Sequence, residues 1–224
     1  MMIVRCACGP KPAQHAGRTR KPMCLQAAAV AVTTDGGQGS PDPQTYTRMR
    51  LKTKADCQLG VSIYPEFAYN AVGGGGWARV EAQGGSLLHV TFDPQAVVIP
   101  DLSWRTASLF KVPIPPPLNI AITPLKLEGT VDLATGQMEL QFDANFVFSA
   151  GPLYTAPPLV VRTLLTTEDT QGSFRKATGQ RIVGSIVKLV GTATVDKTGD
   201  LFLDNFLLLP TDALAIMSAE LEFA

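Results

Sequence analysis

The sequence is poor in the residue types that most often carry catalysis and metal binding. It has 2 histidines and 4 cysteines in 224 residues, and only His89 and Cys57 lie beyond position 24. His89 is the only natural general base of that part, and no G-x-S-x-G elbow accompanies it. The four other residues, Cys6, Cys8, Cys24 and His15, lack the spacing of paired zinc ligands. We therefore predict no enzyme activity, no metal site and no cofactor.

Acidic residues are missing from the start of the chain, where the first is Asp35. Five basic residues are spread through an Ala-rich sequence before it, which is typical of an organelle transit peptide. A Gly- and Pro-rich stretch without periodicity follows and indicates a flexible linker. We expect residues 1–45 to be a transit peptide and linker, with the chloroplast favoured over the mitochondrion, and the protein itself to be soluble or peripheral.

The sequence also lacks a membrane-spanning helix and a basic body. Residues 144–161 carry no charge, but Gly151, Pro152, Pro157 and Pro158 exclude a continuous helix there. Residues 59–224 carry ten basic and sixteen acidic side chains, whereas nucleic-acid binding needs a clustered basic face. We therefore predict no transmembrane segment and no nucleic-acid partner.

Alternation of apolar and polar residues is the strongest pattern present. Residues 125–133 place Leu125, Leu127, Val131 and Leu133 on one face, and residues 137–148 repeat the pattern after the turn signal at Gly136. A period of two puts alternate side chains on opposite faces of a sheet. The two segments therefore predict a long antiparallel hairpin.

Further segments extend this pattern over residues 46–224. A second hairpin is predicted from residues 182–195 and 201–209, and a last strand from residues 215–224. Prolines such as those at 115–117 break the strands between residues 94 and 117. We expect a single all-β domain: an antiparallel meander of about nine to eleven strands with little helix, closing into a barrel-like or two-sheet sandwich fold.

A run of four glycines, Gly73–Gly76, precedes Trp77. It is not followed by the Lys-Ser/Thr pair of a phosphate-binding loop, so we interpret it as a wide hairpin loop at the mouth of the barrel. The interior of such a barrel is either packed or open to a small apolar ligand. The candidate ligand-binding residues, at the mouth and in the interior, are Trp77, Leu140, Phe142, Phe146 and Phe148.

The most polar loop covers residues 166–181 and is longer than a common hairpin loop. Its length suggests a lid or a partner-contact segment, with Phe174 as the residue that anchors it. The candidate partner-contact residues are Glu168, Asp169, Phe174, Arg175, Lys176 and Arg181.

Two functions fit these observations. The first is a non-catalytic carrier or binding protein for a small apolar ligand of the lipid or pigment class. The second is an assembly or interaction factor for an organelle (plastid) membrane complex or membrane surface, suggested by the polar loop and by the basic residues that alternate from Arg48 to Lys54. Fold class alone does not separate the two.

Overall fold

The long hairpin predicted from the alternating pattern is present. In the computed structural model, which describes residues 46–224, it pairs β8 (Leu118–Asp132) with β9 (Met138–Ala150). Leu127 lies opposite Phe142, and Val131 lies opposite Met138. The predicted transit peptide and linker, with their three cysteines and His15, lie outside the described residues.

The hairpin belongs to a closed ring of eight antiparallel strands. This confirms the prediction of a mostly antiparallel, barrel-like all-β fold with little helix. In spatial order the ring comprises β1 (Arg48–Thr53), β4 (Gly75–Gly84), β5 (Leu87–Phe92), β8, β9, β11 (Leu159–Thr166), β15 (Ile186–Val195) and β16 (Thr211–Phe223), and β16 pairs again with β1.

The sheet branches at β16. One edge of this strand pairs with β15. The other edge pairs first with β2 (Cys57–Val61) through residues 213–216 and then with β1 through residues 219–223. From β2 the branch continues through β3 (Phe67–Tyr69), β6 (Ala107–Leu109) and β7 (Val112–Pro113). Leu102, in the segment between β5 and β6, pairs with Ile120 of β8. The strands outside the ring, several only two or three residues long, bring the described total to sixteen: β2 (Cys57–Val61), β3 (Phe67–Tyr69), β6 (Ala107–Leu109), β7 (Val112–Pro113), β10 (Tyr154–Thr155), β12 (Asp169–Gln171), β13 (Lys176–Thr178) and β14 (Gln180–Val183).

The two ends of the ring differ in packing. Because neighbouring strands are antiparallel, the start of β8, the end of β9, the end of β15 and the start of β16 all lie toward one end, which we call the cavity end. The opposite, packed end contains the largest core cluster. Its fully buried side chains include Met49, Leu88, Val131, Met138, Leu140, Leu189 and Leu221.

Leu125 departs from the predicted alternation. A β-bulge between Pro124 and Lys126 shifts the register of β8 at this residue, and Leu125 is exposed. A bulge adds one residue to one strand, so the side chain at that point leaves the face that its neighbours share. Its assignment to the apolar face is therefore wrong.

The prediction of a strand over residues 201–209 is also wrong. This segment forms the helix α1 (Leu201–Leu207), and β15 makes its hairpin with β16 instead. The Asp200 carboxylate accepts a hydrogen bond from the Leu203 backbone N–H at 2.8 Å, which is a helix N-cap. Leu203 and Leu207 are buried with the spacing of four residues that places them on one helix face. Among the described residues, no helix is long and apolar enough to cross a membrane.

Candidate functional site

A cavity of about 670 Å³ occupies the cavity end of the ring. Its floor is formed by residues of the ring strands where the packed core ends, including Leu51, Phe92, Leu127 and Leu165. Its wall on one side is formed by the branch β2–β3–β6–β7, which adds strands to the sheet at this end only. Because the diameter of a rolled sheet grows with strand number, the added strands widen the interior here.

Three phenylalanines of β9 face this cavity. Phe142, Phe146 and Phe148 occupy alternate positions on the inward face of the strand, and all three line the cavity. They are only half-buried, although they point inward, because the space in front of them is the cavity itself. These three are the sequence-based ligand-binding candidates that the structure brings together.

The other two candidates lie elsewhere. Trp77 is opposite Arg50 on the outer face of β4, and the guanidinium carbons of Arg48 and Arg50 lie 4.5 and 5.5 Å from its ring centroid. Leu140 shares the inward face of β9 but is fully buried in the core of the packed end. Neither side chain contributes to the cavity lining.

The glycines before Trp77 bring β4 close to β1. Gly75 has a φ of +113°, and a Cβ on it would lie 1.9 Å from the Leu51 carbonyl oxygen. Only glycine fits such a contact. Gly75 and Gly76 thereby become part of the cavity wall, close to where the β1–β4 pair ends.

Small residues line the wall formed by β15 and β16. Ala193 pairs with Ala213, and Gly191 pairs with Ala215, so four small inward-facing residues adjoin one another. A Cβ on Gly191 would lie 2.6 Å from the Thr163 Oγ1, which excludes a larger residue there. Sequence reasoning missed this wall. The sequence signal for it is that the alternate residues Val187 and Leu189 of β15 are followed by Gly191 and Ala193.

No charged or amide side chain lines the cavity within the part of the chain that the structure describes. Its five polar side chains each donate their single hydrogen to a backbone carbonyl oxygen. The donors and acceptors are Thr53 to Ala71 at 2.5 Å, Cys57 to Lys54 at 3.4 Å, Tyr64 to Phe206 at 2.6 Å, Tyr69 to Pro100, and Thr163 to Thr192 at 3.0 Å. The Ser218 carbonyl oxygen, 3.8 Å from the Cys57 sulfur, is the alternative acceptor for the thiol hydrogen.

Burial keeps the acidic members of this group protonated. It raises the pKa of the Cys57 thiol and that of the Tyr69 hydroxyl above their ordinary values. A neutral thiol is a poor nucleophile, so Cys57 is chemically quiet at neutral pH. The cavity wall is therefore uncharged as well as apolar.

The polar loop of residues 166–181 lies outside the cavity. Its strands β12 and β13 form a separate hairpin, and none of its residues lines the cavity. Thr170 and Thr192 share a hydrogen bond of 2.9 Å between their hydroxyls, which holds the hairpin against β15. The loop is therefore a flap on the outer wall, and the structure does not place it as a lid over the mouth.

Arg175 anchors this flap. Its guanidinium donates hydrogen bonds to the backbone oxygens of Val61, Ser62 and Tyr64, including one of 2.9 Å to Ser62, and its side chain is 10% exposed. Phe174 is 79% exposed, so its expected anchoring role is wrong.

The other partner-contact candidates are on the surface of the flap. Glu168 and Arg181 form an ion pair of 2.7 Å, with both side chains partly exposed. Asp169 and Lys176 are exposed at the two ends of the β12–β13 hairpin. These four side chains are accessible to a partner, whereas the Arg175 guanidinium is occupied by its hydrogen bonds to the backbone of residues 61–64.

Exposed apolar side chains surround the cavity end. The ring centroids of Tyr154 and Phe202 are 5.1 Å apart, those of Phe202 and Phe206 5.9 Å, and those of Phe206 and Tyr64 5.8 Å. Aromatic contacts therefore link β10, the helix α1 and the loop between β2 and β3. Contiguous exposed apolar surface marks interaction sites. We call this surface the apolar rim; its exposed side chains are Ile63, Phe110, Val112, Leu153, Phe174, Leu201, Phe202, Phe206 and Leu208.

The described residues contain no group of three or more His, Cys, Asp or Glu side chains placed to hold a metal ion. His89 lies on β5 between Glu81 and Thr130 of the neighbouring strands, remote from the cavity lining. The fold and site thus define an all-β ring protein with an apolar cavity. No family model, no curated protein and no solved structure matches the chain.

Proposed function

We propose that this protein binds or carries a small apolar ligand of the lipid or pigment class without catalysing a reaction. The observation that carries the proposal is the cavity of about 670 Å³ and its uncharged lining. Pockets for small molecules commonly measure about 300–1,000 Å³ and are mainly apolar. Moving apolar surface from water into such a site is favourable by roughly 25 cal/mol per Å².

Native mass spectrometry of the protein purified from its own source tests this proposal. We expect a bound apolar molecule, which organic solvent extracts and which rebinds to the stripped protein. Rebinding should stabilise the protein by about 2.7 kcal/mol at a free ligand concentration of 100 times the Kd. A protein that carries nothing and shows no thermal shift with a panel of lipids and pigments would contradict the proposal.

A matched pair of variants links binding to the cavity. Ala193 faces the cavity, while the next residue, Thr194, is exposed on the opposite face of β15. We expect Ala193→Phe to occupy ligand space and weaken binding at least tenfold, and Thr194→Phe to bind like the wild type. Equal affinity of both variants would place the ligand elsewhere.

We also propose an organelle location, with the chloroplast favoured over the mitochondrion. The support is the composition of residues 1–45, which combines scattered basic residues with a lack of acidic ones before Asp35. A fluorescent protein fused after residue 45 should enter chloroplasts. Retention of the fusion in the cytosol would contradict this assignment.

The second candidate function is an assembly or interaction factor for an organelle membrane complex. The apolar rim favours it, because exposed apolar side chains from separate segments of the chain offer a contact surface. We expect Phe110→Asp combined with Phe202→Asp to abolish co-purification with such a complex from solubilised membranes. Val183→Asp, at an exposed position of the packed end, is the matched control. If the double variant still captures the complex, the rim is not the contact surface.

A further inference from the structure

The five polar side chains of the cavity offer a ligand no free hydrogen. Each hydroxyl or thiol has one hydrogen, and each already donates it to a backbone carbonyl oxygen of the protein. Their oxygen lone pairs remain able to accept. The side chains of the lining can thus accept a hydrogen bond from a ligand but have none to give.

The Arg175 guanidinium, which adjoins the cavity wall, also fails to serve the cavity. Arg175 lies against Gly60, a lining residue, where a Cβ would be 2.3 Å from its Nη1. It is on the outer side of the wall, where Val61, Ser62 and Tyr64 accept its hydrogen bonds and Glu66 lies 3.7 Å away. Its charge is therefore already compensated by the protein.

A carboxylate inside this cavity would lose its hydration and gain no partner. Burial of an ionised group without a partner is so unfavourable that the group takes up a proton instead. An ester or hydrocarbon of the same chain length has no such cost, and an alcohol can donate its hydrogen to an available lone pair. The cost therefore depends on the charge of the ligand and not on its chain.

We infer that the cavity selects uncharged chains, such as hydrocarbons, polyenes, esters and alcohols, and discriminates against the same chain with a free carboxylate. This inference rests on the proposed function, since it concerns the ligand class of the same cavity. It is separable from that function, because a protein can bind apolar chains without discriminating between acid and ester.

The experiment compares parinaric acid, a fluorescent polyene fatty acid, with its methyl ester and its alcohol on the delipidated full chain at pH 8. We expect the ester and the alcohol to bind at least 30-fold more tightly than the acid, which corresponds to about 2 kcal/mol. The affinity of the acid should rise as the pH falls toward its own pKa. Equal affinities at pH 8 would overturn the inference and leave the proposed function in place, whereas binding of none of the three probes would contradict both.

A cation placed in the cavity should reverse the preference. Ile122 lines the cavity, and the neighbouring Thr123 is exposed on the other face of β8. We expect Ile122→Lys to bind the acid more tightly than the ester and Thr123→Lys to keep the wild-type order. Met217→Lys, also on the lining, provides a second test if Ile122→Lys does not fold. An unchanged order in a folded cavity variant would overturn the inference.

Discussion

Two alanines on one face of β16 provide a test of the cavity by protein stability. Ala215 lines the cavity and is half-buried, whereas Ala219, four residues further on the same face, is 0% exposed in the packed core. We predict that Ala215→Phe and Ala219→Phe have opposite effects on the free energy of unfolding. The reason is that the added ring enters open space in one variant and an occupied core in the other.

The magnitudes follow from burial and packing. A phenylalanine ring transferred from water into the cavity contributes about 1.5–3 kcal/mol of stability. The same ring forced into a filled core costs about 1–3 kcal/mol through displaced side chains and backbone. The variants should therefore differ by at least about 2.5 kcal/mol, or roughly 5–10 °C in Tm for a chain of this length.

Thermal and urea unfolding followed by circular dichroism measure this difference. Both variants should retain the β-sheet spectrum at low temperature, and Ala215→Phe should also show weaker binding of the polyene ester. Equal destabilisation of the two variants would refute the reasoning, since it would mean that the inward side of Ala215 is as filled as that of Ala219.

Three further predictions concern the flap, the helix α1 and the loss of stability at low pH. Arg175→Ala should lower the free energy of unfolding by about 1–3 kcal/mol and speed amide exchange in the flap. Lys176→Ala should change it by less than about 0.5 kcal/mol. Equal effects of the two variants in urea unfolding would contradict the anchoring role of Arg175. Asp200→Ala should cost about 1 kcal/mol through loss of the N-cap, compared with little change for the exposed Asp196→Ala. Hydrogen bonds from Ser86, Thr135 and the Ala134 backbone N–H lower the pKa of Asp132 to about 2. Its stabilising effect is therefore present above the unfolded pKa of about 4 and lost as the pH falls through 2. Asp132→Asn should therefore lose less stability at low pH than the wild type. If the free energy of unfolding of this variant falls at low pH as much as that of the wild type, the role given to Asp132 is contradicted.

The β8–β9 hairpin was predictable because its alternation is long and regular. The same pattern predicts which face of β9 a side chain occupies, although the bulge at Leu125 breaks the pattern in β8. The pattern does not predict the depth of a side chain along the ring: Leu140 and Phe142 are two residues apart on one face, yet one is in the packed core and the other at the cavity. The difference depends on which strands surround each level of the ring. Only the branching of the sheet at β16 determines that, and its partners are distant in sequence.

The helix α1 was missed for a local reason. Residues 201–209 are so rich in leucine and phenylalanine that both helical and strand spacings find apolar residues. The deciding signal is polar, since the Asp200 and Asp204 side chains accept hydrogen bonds from the backbone at the start of the helix. An Asp before an apolar run is a helix start signal that should outweigh an uncertain period.

Small inward residues of β15 and β16 keep the cavity open, which lowers the stability of the folded protein. Four of the cavity-lining residues on these strands are small, namely Gly191, Ala193, Ala213 and Ala215, whereas Val187, Leu189 and Leu221 toward the packed end are large. A site that is left unfilled forgoes packing contacts and therefore costs stability. Larger side chains at the alanine positions would fill part of the cavity, so the small residues favour a binding role for the cavity over a purely structural one.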